Sequence, residues 1–330
     1  MRRLKVIYLE NAIIQFLVSY VIVLIIPLFA IWYGFQSAFD IVENDIKESN
    51  ISMLNHSINI IEGELNSLEV MALQTSQSVS IQAFADYTEI KVGYVSAAMD
   101  ALDQFYDLMR YQNSRLLYKA YIQFNDINLI MYENTYYRPE IFQKYVNQMG
   151  ITLEEWNRIC LNDESRVPRY VSDSNKGLQY VKPFSNRLQG KNKGVIIYRF
   201  ETNELKKLLD FSGRYEKYSV FIMNKNNNIL WAEDDLEYYD SIGSLDLKES
   251  GFFQMEEKRI VYSAEKDSKW NYLLILPDKE ALEKLTLLKF SLNLLIIITS
   301  AIGVTLSIAL AISKGKPIND VFKNIVLGER

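Results

Sequence analysis

The chain has 330 residues, 23% of them charged, and a formal net charge of −5. This length allows one large domain or two modest ones, and the slightly acidic balance argues against nucleic-acid binding, which favours a basic face. Cys160 is the only cysteine, so no intramolecular disulfide can form, and the folded chain must be held together by its core alone.

The first part of the chain contains a long apolar segment. Ala12–Gly34 carries no charged residue and is long enough to cross the hydrocarbon core of a membrane at about 1.5 Å per residue. The alternative is a secretory signal peptide, whose apolar region would be shorter and would end in a cleavage site of small residues. The segment instead ends near Trp32 and Tyr33, which favour a membrane interface, so we predict a transmembrane helix over residues 12–34.

The region after this span, residues 35–115, is predicted to form stalk helices. From Asp40 to Gln77 it contains no proline, and its apolar or small residues recur at alternating spacings of 3 and 4, as on one face of a helix. A second helix is predicted for Val95–Arg110. The residues of the periodic face are Ile51, Leu54, Ile58, Ile61, Leu65, Leu68 and Ala72.

This periodic face leaves two interpretations open. It can pack against the sheet of its own domain, or part of it can pair with a second protomer as a dimer seam, which would make the protein a homodimer. The seam would consist of Leu54, Ile58, Ile61 and Leu65. His56, the single histidine, lies in the same helix with no second metal ligand nearby, so we interpret it as a solvated residue.

Residues 116–212 are predicted to form a membrane-distal module. An apolar and aromatic run, a turn signal and a second short run predict a hairpin of Leu116–Phe124 and Asn128–Tyr132. The predicted elements that follow are helices over Glu140–Gln148 and Leu153–Leu161, strands over Leu178–Pro183 and Val195–Phe200, and a helix that ends at Leu209.

Residues 213–289 are predicted to form a smaller, membrane-proximal module. Its strands are expected at Tyr218–Asn224, Ile229–Ala232, Ile260–Ala264 and Trp270–Leu276. Pro277 is expected to stop the last strand, and a helix from Lys279 leads towards a second apolar block. The predicted fold class is α+β, with a long stalk helix beside two antiparallel sheets.

A second transmembrane helix is predicted over residues 290–312. Phe290–Ile312 contains no charge, and a buried core helix is the weaker alternative at this length. Basic residues precede the first span and follow the second. Because positive charges favour the cytoplasmic side, we expect both termini in the cytoplasm and residues 35–289 outside the cell membrane. The basic residues are Arg2, Arg3 and Lys5 in segment 1–11, and Lys314, Lys316 and Lys323 in segment 313–330; Lys284 and Lys289 oppose this orientation.

Several local sequences resemble a double Cache sensor domain, in which two PAS-like sheets lie along one long helix. They are YIQFNDINLIMYE, the pair LQYVKPFSN and GVIIYRFETNELKKLL, VFIMNKNNNILWAE, and SKWNYLLILPDKEAL, of which the last is the most specific. The short cationic N-terminus with an early span is similar to membrane-bound AraC-type regulators and sensor histidine kinases of Firmicutes. The resemblance covers nearly the whole external region and implies two transmembrane helices flanking a stalk with two PAS-like modules.

The resemblance implies that a small molecule binds in the pocket of the membrane-distal sheet. The amino-acid-binding pattern of the family, an Arg closely followed by Trp-Tyr and a later Asp, is not found, so an amino-acid ligand is not expected. Aromatic residues offer an apolar wall with a polar tip, and basic residues can pair with a carboxylate. The candidate ligand-binding residues are Tyr121, Gln123, Tyr137, Arg138, Trp156, Arg169, Tyr180 and Lys182, with Tyr170 beside them.

The sequence lacks the familiar signatures of an enzyme. One histidine and one cysteine argue against the common catalytic triads and against histidine-based metal sites, and no phosphate-binding glycine loop occurs. We therefore predict no enzyme, no cofactor and no metal. The acidic run Glu233–Asp240 lacks the spacing of a calcium loop and is interpreted as a solvated loop.

These patterns together predict a transmembrane signal receptor. Ligand binding outside the cell is expected to be relayed by Pro277 and the helix that follows it to a cytoplasmic transcription regulator or kinase. No such unit follows Ser313 in this sequence, which is expected to be a fragment or a natural truncation. The alternative is a stand-alone, membrane-anchored binding or adaptor protein that presents its external domain to a partner.

Overall fold

The architecture was examined in a computed structural model of the chain. The residues that the structure describes are 2–110, 114–148, 150–161, 167–173, 177–185, 192–233, 251–255, 258–263 and 268–327. The chain divides into two units, one of residues Met1–Glu48 with Leu282–Arg330 and one of residues Ser49–Ala281, and each is described by itself.

Helices and short strands alternate along the described residues. The helices are α1 (Arg2–Gln77), α2 (Val79–Ala85), α3 (Tyr94–Arg110), α4 (Pro139–Gln148), α5 (Leu153–Leu161), α6 (Thr202–Leu208) and α7 (Asp278–Leu327). The strands are β1 (Leu117–Phe124), β2 (Leu129–Tyr132), β3 (Thr135–Tyr137), β4 (Arg169–Ser172), β5 (Leu178–Ser185), β6 (Asn192–Phe200), β7 (Ser219–Met223), β8 (Ile229–Glu233), β9 (Gly251–Met255), β10 (Lys258–Ser263) and β11 (Asn271–Pro277).

The strands form two antiparallel sheets with the same connectivity. The first sheet has the order β3-β2-β1-β6-β5-β4 and the second the order β8-β7-β11-β10-β9. Apart from the additional edge strand β3, each sheet places its last strand in the centre, with its first strand on one side and the strand that precedes the last on the other. The prediction of an α+β fold with two antiparallel-sheet modules is confirmed.

The hairpins that begin the two sheets turn in similar ways. The turn between β1 and β2 contains Asn128 at a φ of 52°, and the turn between β7 and β8 contains Asn227 at a φ of 61°. Asparagine tolerates this left-handed backbone conformation better than most residues. In the second turn, the Asn224 side chain also accepts hydrogen bonds from the backbone N–H groups of Asn226 and Asn228, both at 2.9 Å.

One face of α1 forms the centre of the larger hydrophobic core. Leu54, Ile61 and Leu65 are fully buried and Ile58 is 3% exposed, because they pack in one cluster with side chains of both sheets. The prediction of a dimer seam at these four residues is therefore wrong. The apolar periodicity reflects packing within the domain, which was the other interpretation.

Among the residues that the structure describes, two helices contain segments that are long and apolar enough to cross a membrane, within Leu17–Gln77 of α1 and Leu285–Gly315 of α7. In α7, buried small residues recur at every fourth position: Gly303, Ser307, Ala311 and Gly315. A Cβ atom added at Gly303 would overlap the side chain of Leu24 in α1. Small residues allow such close packing between transmembrane helices.

The main departures from the prediction are short edge strands. The strands β3, β4 and β9 were not predicted, because three to five residues carry too little alternation to be distinguished from a loop. The return strand begins at Leu129 rather than at Asn128, which occupies the turn. Strand β11 ends at Pro277 as predicted. Of the acidic run, Asp234–Asp240 lies outside the described residues.

Candidate functional site

The strand register separates the first sheet into two faces. A row of directly paired residues crosses the sheet, and side chains of such partners lie on the same face. This row is Arg169, Val181, Ile197, Tyr121 and Tyr132. We name the side on which these residues lie the α4–α5 face, since they pack with residues of α4 and α5. The opposite side packs with α1 and is named the stalk face.

An aromatic cluster covers the α4–α5 face. The Tyr121 ring stacks on Tyr132 at a centroid distance of 4.8 Å and meets Trp156 of α5 edge-on at 5.3 Å. Phe142 of α4 contacts the same Trp156 ring at 5.2 Å. Trp156 is fully buried, and its Nε1 atom donates to Oε1 of Gln123 at 3.1 Å. This polar contact helps to fix α5 on the sheet beneath the aromatic rings.

A buried ion pair lies at one end of the same face. Arg199 follows Ile197 by two residues on β6, and its Nη1 atom lies 2.8 Å from Oδ2 of Asp173. The Asp173 carboxylate also accepts hydrogen bonds from the Gly177 backbone N–H at 2.7 Å and from Nε2 of Gln179 at 2.9 Å. Such contacts offset the cost of removing both charges from water.

Two further polar groups lie beside this ion pair. Lys119 is paired with Arg199 in the sheet, and its Nζ atom lies 5.3 Å from the centroid of the Tyr132 ring. Oε1 of Gln179 is buried and has no hydrogen-bond partner among the described residues. An unsatisfied buried acceptor is unfavourable unless a bound molecule or water supplies a donor.

Burial changes the acid–base properties of the tyrosines on this face. Desolvation raises the pKa of Tyr121 above its ordinary value, and it is also the largest cause of the raised pKa of Tyr132. At the rim, the hydroxyls of Tyr137 and Tyr145 lie 3.1 Å apart, and this hydrogen bond is the main reason that the pKa of Tyr137 rises to about 12. All three side chains are therefore neutral hydrogen-bonding groups at physiological pH.

The structure brings together five of the predicted ligand-binding residues. Tyr121, Gln123, Tyr137, Trp156 and Arg169 all lie on the α4–α5 face. The guanidinium of Arg169 donates from Nη2 to the carbonyl oxygen of Ile159 in α5 at 2.7 Å, and burial lowers its pKa. Whether any of them binds a ligand stays a prediction.

Four predicted residues lie elsewhere. Tyr180 is buried on the stalk face, opposite Tyr198, so it does not line the side on which Tyr121 lies. Lys182 also belongs to the stalk face, because it is paired with Ile196. Tyr170, on the edge strand, is half-buried on that face as well. Arg138 lies in the segment before α4 and is exposed. The expectation that all these residues share one side is wrong, since side chains alternate along a strand.

Sequence reasoning missed the polar end of the face, namely Lys119, Asp173, Gln179 and Arg199. A signal was present in the two strands. Lys119 lies two positions before Tyr121, and Arg199 lies two positions after Ile197, so both charges share a face with these buried residues. A charged residue in phase with the buried face of a strand indicates a paired or functional charge. Its partner Asp173 lies in a separate segment, and the sequence alone does not pair them.

No protein-family model and no curated protein matches the chain. Among solved structures, the chain is similar to the ligand-binding domain of Mlp24 with asparagine, at 12% identity and a TM-score of 0.48 over 74% of this chain and 98% of that one. It is also similar to the periplasmic sensory domain of the Campylobacter jejuni chemoreceptor Tlp1, at 12% identity and a TM-score of 0.45 over 72% and 98%.

A third match is the sensory domain of the Campylobacter jejuni chemoreceptor Tlp3, at 10% identity and a TM-score of 0.40, over 72% of this chain and 98% of that one.

Proposed function

We propose that this chain is a transmembrane receptor whose external, double Cache-like domain binds a small molecule on the α4–α5 face of the first sheet. The observation that carries this proposal is the composition of that face. It combines an aromatic wall around Tyr121 and Trp156 with a polar end at Lys119, Arg199 and Gln179. Such a combination of apolar walls and few polar groups is typical of small-molecule sites.

The unsatisfied oxygen of Gln179 indicates the chemistry of the ligand. It is an acceptor, so it favours a ligand that carries a hydrogen-bond donor. The nearby Lys119 and Arg199 favour an anionic or electron-rich group in the same molecule. We therefore propose a small polar ligand with at least one donor and one acceptor group, bound against the tyrosine rings. The proposed activity is sensing and not catalysis.

The chain order supports a membrane receptor with two spans. The proposed boundaries are cytoplasmic ends at 1–11 and 313–330, spans at 12–34 and 290–312, stalk helices at 35–115, a distal module at 116–212 and a proximal module at 213–289. Strand β11 ends at Pro277, and α7 begins at the next residue and continues into the second apolar segment. A change in the last sheet strand would thus enter the span without an intervening loop, towards a cytoplasmic regulator or kinase.

The proposed orientation can be tested by labelling in whole cells. Single cysteines are placed in a Cys160→Ser background at Asn226, which is exposed in a turn, and at Lys5. A membrane-impermeant maleimide should label Asn226→Cys in intact cells and Lys5→Cys after permeabilisation alone. Labelling of Lys5→Cys in intact cells would contradict cytoplasmic termini.

A homodimer stays part of the proposal, through a surface other than the predicted seam. The opposite side of α1 is exposed and includes His56, Gly63 and Val70. In the full chain in membranes, Val70→Cys should give disulfide-linked dimers. Glu89→Cys, which is exposed between α2 and α3, serves as the comparison, and equal crosslinking at both positions would indicate random collision.

Ligand binding is tested by thermal unfolding of the intact chain in lipid nanodiscs. The panel consists of single compounds: carboxylic acids, amines, hydroxy acids, nucleobases and sugars. A compound present at 100 times its Kd should stabilise the folded state by about 2.7 kcal/mol. Lys119→Met should reduce this stabilisation, and Lys182→Met, on the stalk face, should preserve it. A panel without any stabilising compound, or stabilisation equally insensitive to both changes, would contradict the proposed site and favour a protein-binding adaptor.

A further inference from the structure

The edge strand β4 places two neighbouring side chains on opposite faces of the first sheet, because successive residues of a strand alternate. Arg169 lies on the α4–α5 face and donates to the carbonyl oxygen of Ile159 in α5 at 2.7 Å. Tyr170 lies on the stalk face, where its hydroxyl donates to Oε1 of Glu69 in α1 at 2.6 Å. A displacement of α5 that moves β4 is therefore passed to α1 through the adjacent residue.

Glu69 connects this strand to the second sheet as well. Its other carboxylate oxygen, Oε2, lies 2.7 Å from Nζ of Lys269, two residues before β11. The Lys269 ammonium also donates to Oδ1 of Asn66 at 2.6 Å. One carboxylate on α1 thus holds a tyrosine of the first sheet and a lysine at the start of the last strand of the second sheet.

The segment around Lys269 is attached to α1 at a second position, Glu62. Oε1 of Glu62 accepts hydrogen bonds from Oγ of Ser268 at 2.8 Å, from the Lys269 backbone N–H at 3.0 Å and from the Tyr272 hydroxyl at 3.2 Å. Glu62 lies seven residues before Glu69, which is two helical turns, so both carboxylates lie on one side of α1. The start of β11 therefore moves with this part of α1.

An aromatic contact links the two sheets directly. Trp270, which is 1% exposed, meets the Tyr170 ring edge-on at a centroid distance of 4.9 Å. Its Nε1 atom is buried and has no hydrogen-bond partner among the described residues. An unpartnered buried donor is unfavourable. The Trp270 side chain is therefore expected to repack when Tyr170 moves, if the new position gives its Nε1–H a hydrogen-bond partner.

We propose that Tyr170, Glu69, Lys269 and Trp270 form a junction that couples the α4–α5 face of the first sheet to strand β11 of the second sheet. The proposal rests on the proposed function, because it gives the route by which a change at the ligand face reaches β11 and then α7. Arg169 and Tyr170 are its input, and the Ser268–Tyr272 segment is its output. The coupling uses contacts between folded elements and needs no disordered segment.

The test measures hydrogen exchange of the full chain in lipid nanodiscs and uses no ligand, so failure of this junction and failure of ligand binding are separate results. Trp156→Phe removes the hydrogen bond to Gln123 and perturbs α5. We expect faster exchange in α5 and also in β7 and β11, on the order of tenfold for the second sheet. In a Tyr170→Phe/Lys269→Met background, the same change should accelerate exchange in the first sheet alone.

A matched control removes similar contacts away from the junction. Tyr218→Phe removes a hydrogen bond to Asp210 of 2.7 Å, and Lys207→Met removes an exposed ion pair with Glu204. In a Tyr218→Phe/Lys207→Met background, Trp156→Phe should still accelerate hydrogen exchange in β11. The Tyr170→Phe/Lys269→Met variant could lose hydrogen-exchange protection in β1 and β6 even without Trp156→Phe. In that case the test is made in the Tyr170→Phe background alone. Transmission that is absent in the original chain, or that persists when the junction is removed, would overturn the proposal.

Discussion

The two faces of the first sheet differ in what they connect. The stalk face contributes to a large hydrophobic cluster that also contains one side of α1 and residues of the second sheet, such as Val220 and Tyr272. The α4–α5 face contributes to a smaller cluster whose members belong to the first sheet, to α4 and α5, and to the connection between these two helices. One face is therefore shared by the whole external unit, and the other is local.

This difference separates the role of a scaffold from that of a site. A cluster that joins both sheets opens only when much of the unit unfolds, because its side chains are held from several elements. A local cluster beneath two helices of ten and nine residues can open while the scaffold stays folded. Binding faces are drawn from such less stable parts of a fold.

The largest expected effect comes from the buried ion pair at the end of the local face. Asp173→Asn keeps the shape but removes the charge 2.8 Å from Arg199, and losing one partner of a buried pair costs about 3–5 kcal/mol. Chemical denaturation of the chain in nanodiscs, followed by tryptophan fluorescence, measures this loss. Glu204→Gln, which removes an exposed ion-pair partner, should cost less than about 1 kcal/mol. Equal losses would show that the pair at Asp173 is solvated.

The shared face is tested by Leu65→Ala. Leu65 of α1 is fully buried in the large cluster, so its truncation should cost about 2–5 kcal/mol and accelerate hydrogen exchange in both sheets. Val70→Ala, on the exposed side of the same helix, should change stability by less than about 0.5 kcal/mol. If Leu65→Ala affected one sheet alone, the large cluster would not act as a shared scaffold.

The local face is tested by Gln123→Met. This change removes the acceptor of the Trp156 indole and leaves a buried donor unsatisfied, at a cost of about 1–3 kcal/mol. The loss should appear as lower exchange protection in α4 and α5, with β6 less affected. Gln74→Met, at an exposed position of α1, is the control for the substitution itself. A uniform loss across the unit would contradict the separation of the two faces.

The smallest expected effect concerns the rim of the local face. Tyr145→Phe removes the hydrogen bond with Tyr137 and should cost about 0.5–1 kcal/mol near neutral pH, since the pair is partly exposed. The folded-state pKa of Tyr137, about 12, lies above its ordinary value of 10.0, so this stabilisation is present below pH 10 and is lost as the pH rises through 12. The free energies of unfolding of the original chain and of the Tyr145→Phe variant are compared across this pH range. A difference between them that stays constant with pH would contradict the assignment of the stabilisation to the Tyr137–Tyr145 hydrogen bond.

Much of the architecture could be predicted from local patterns. The periodic face of α1, the strand pairs and the stop at Pro277 follow from hydrophobic spacing and turn residues, and the structure places them as expected. The same periodicity did not decide what covers the helix, because a partner protomer and a sheet bury the same side chains. The short strand β4, which carries both Arg169 and Tyr170, had no sequence signal of its own.

The candidate site was less accessible to sequence reasoning. The choice between the two faces depends on register, and a shift of one residue reverses the side of every side chain on a strand. Tyr180 and Lys182 were assigned to the wrong side for this reason. The pairing of Asp173 with Arg199 joins residues 26 positions apart along the chain, and this proximity comes from the antiparallel pairing of β4 with β5 and of β5 with β6.

Native-state hydrogen exchange of the unmodified chain in lipid nanodiscs tests the separation of the two faces most directly. The amides of α4 and α5 should exchange through openings of lower free energy than those of β1, β6 and residues 54–72 of α1, and low denaturant should leave their exchange nearly unchanged, as for local openings. A single common opening free energy for all these elements, with the same denaturant dependence, would contradict the account and make the α4–α5 face part of the scaffold.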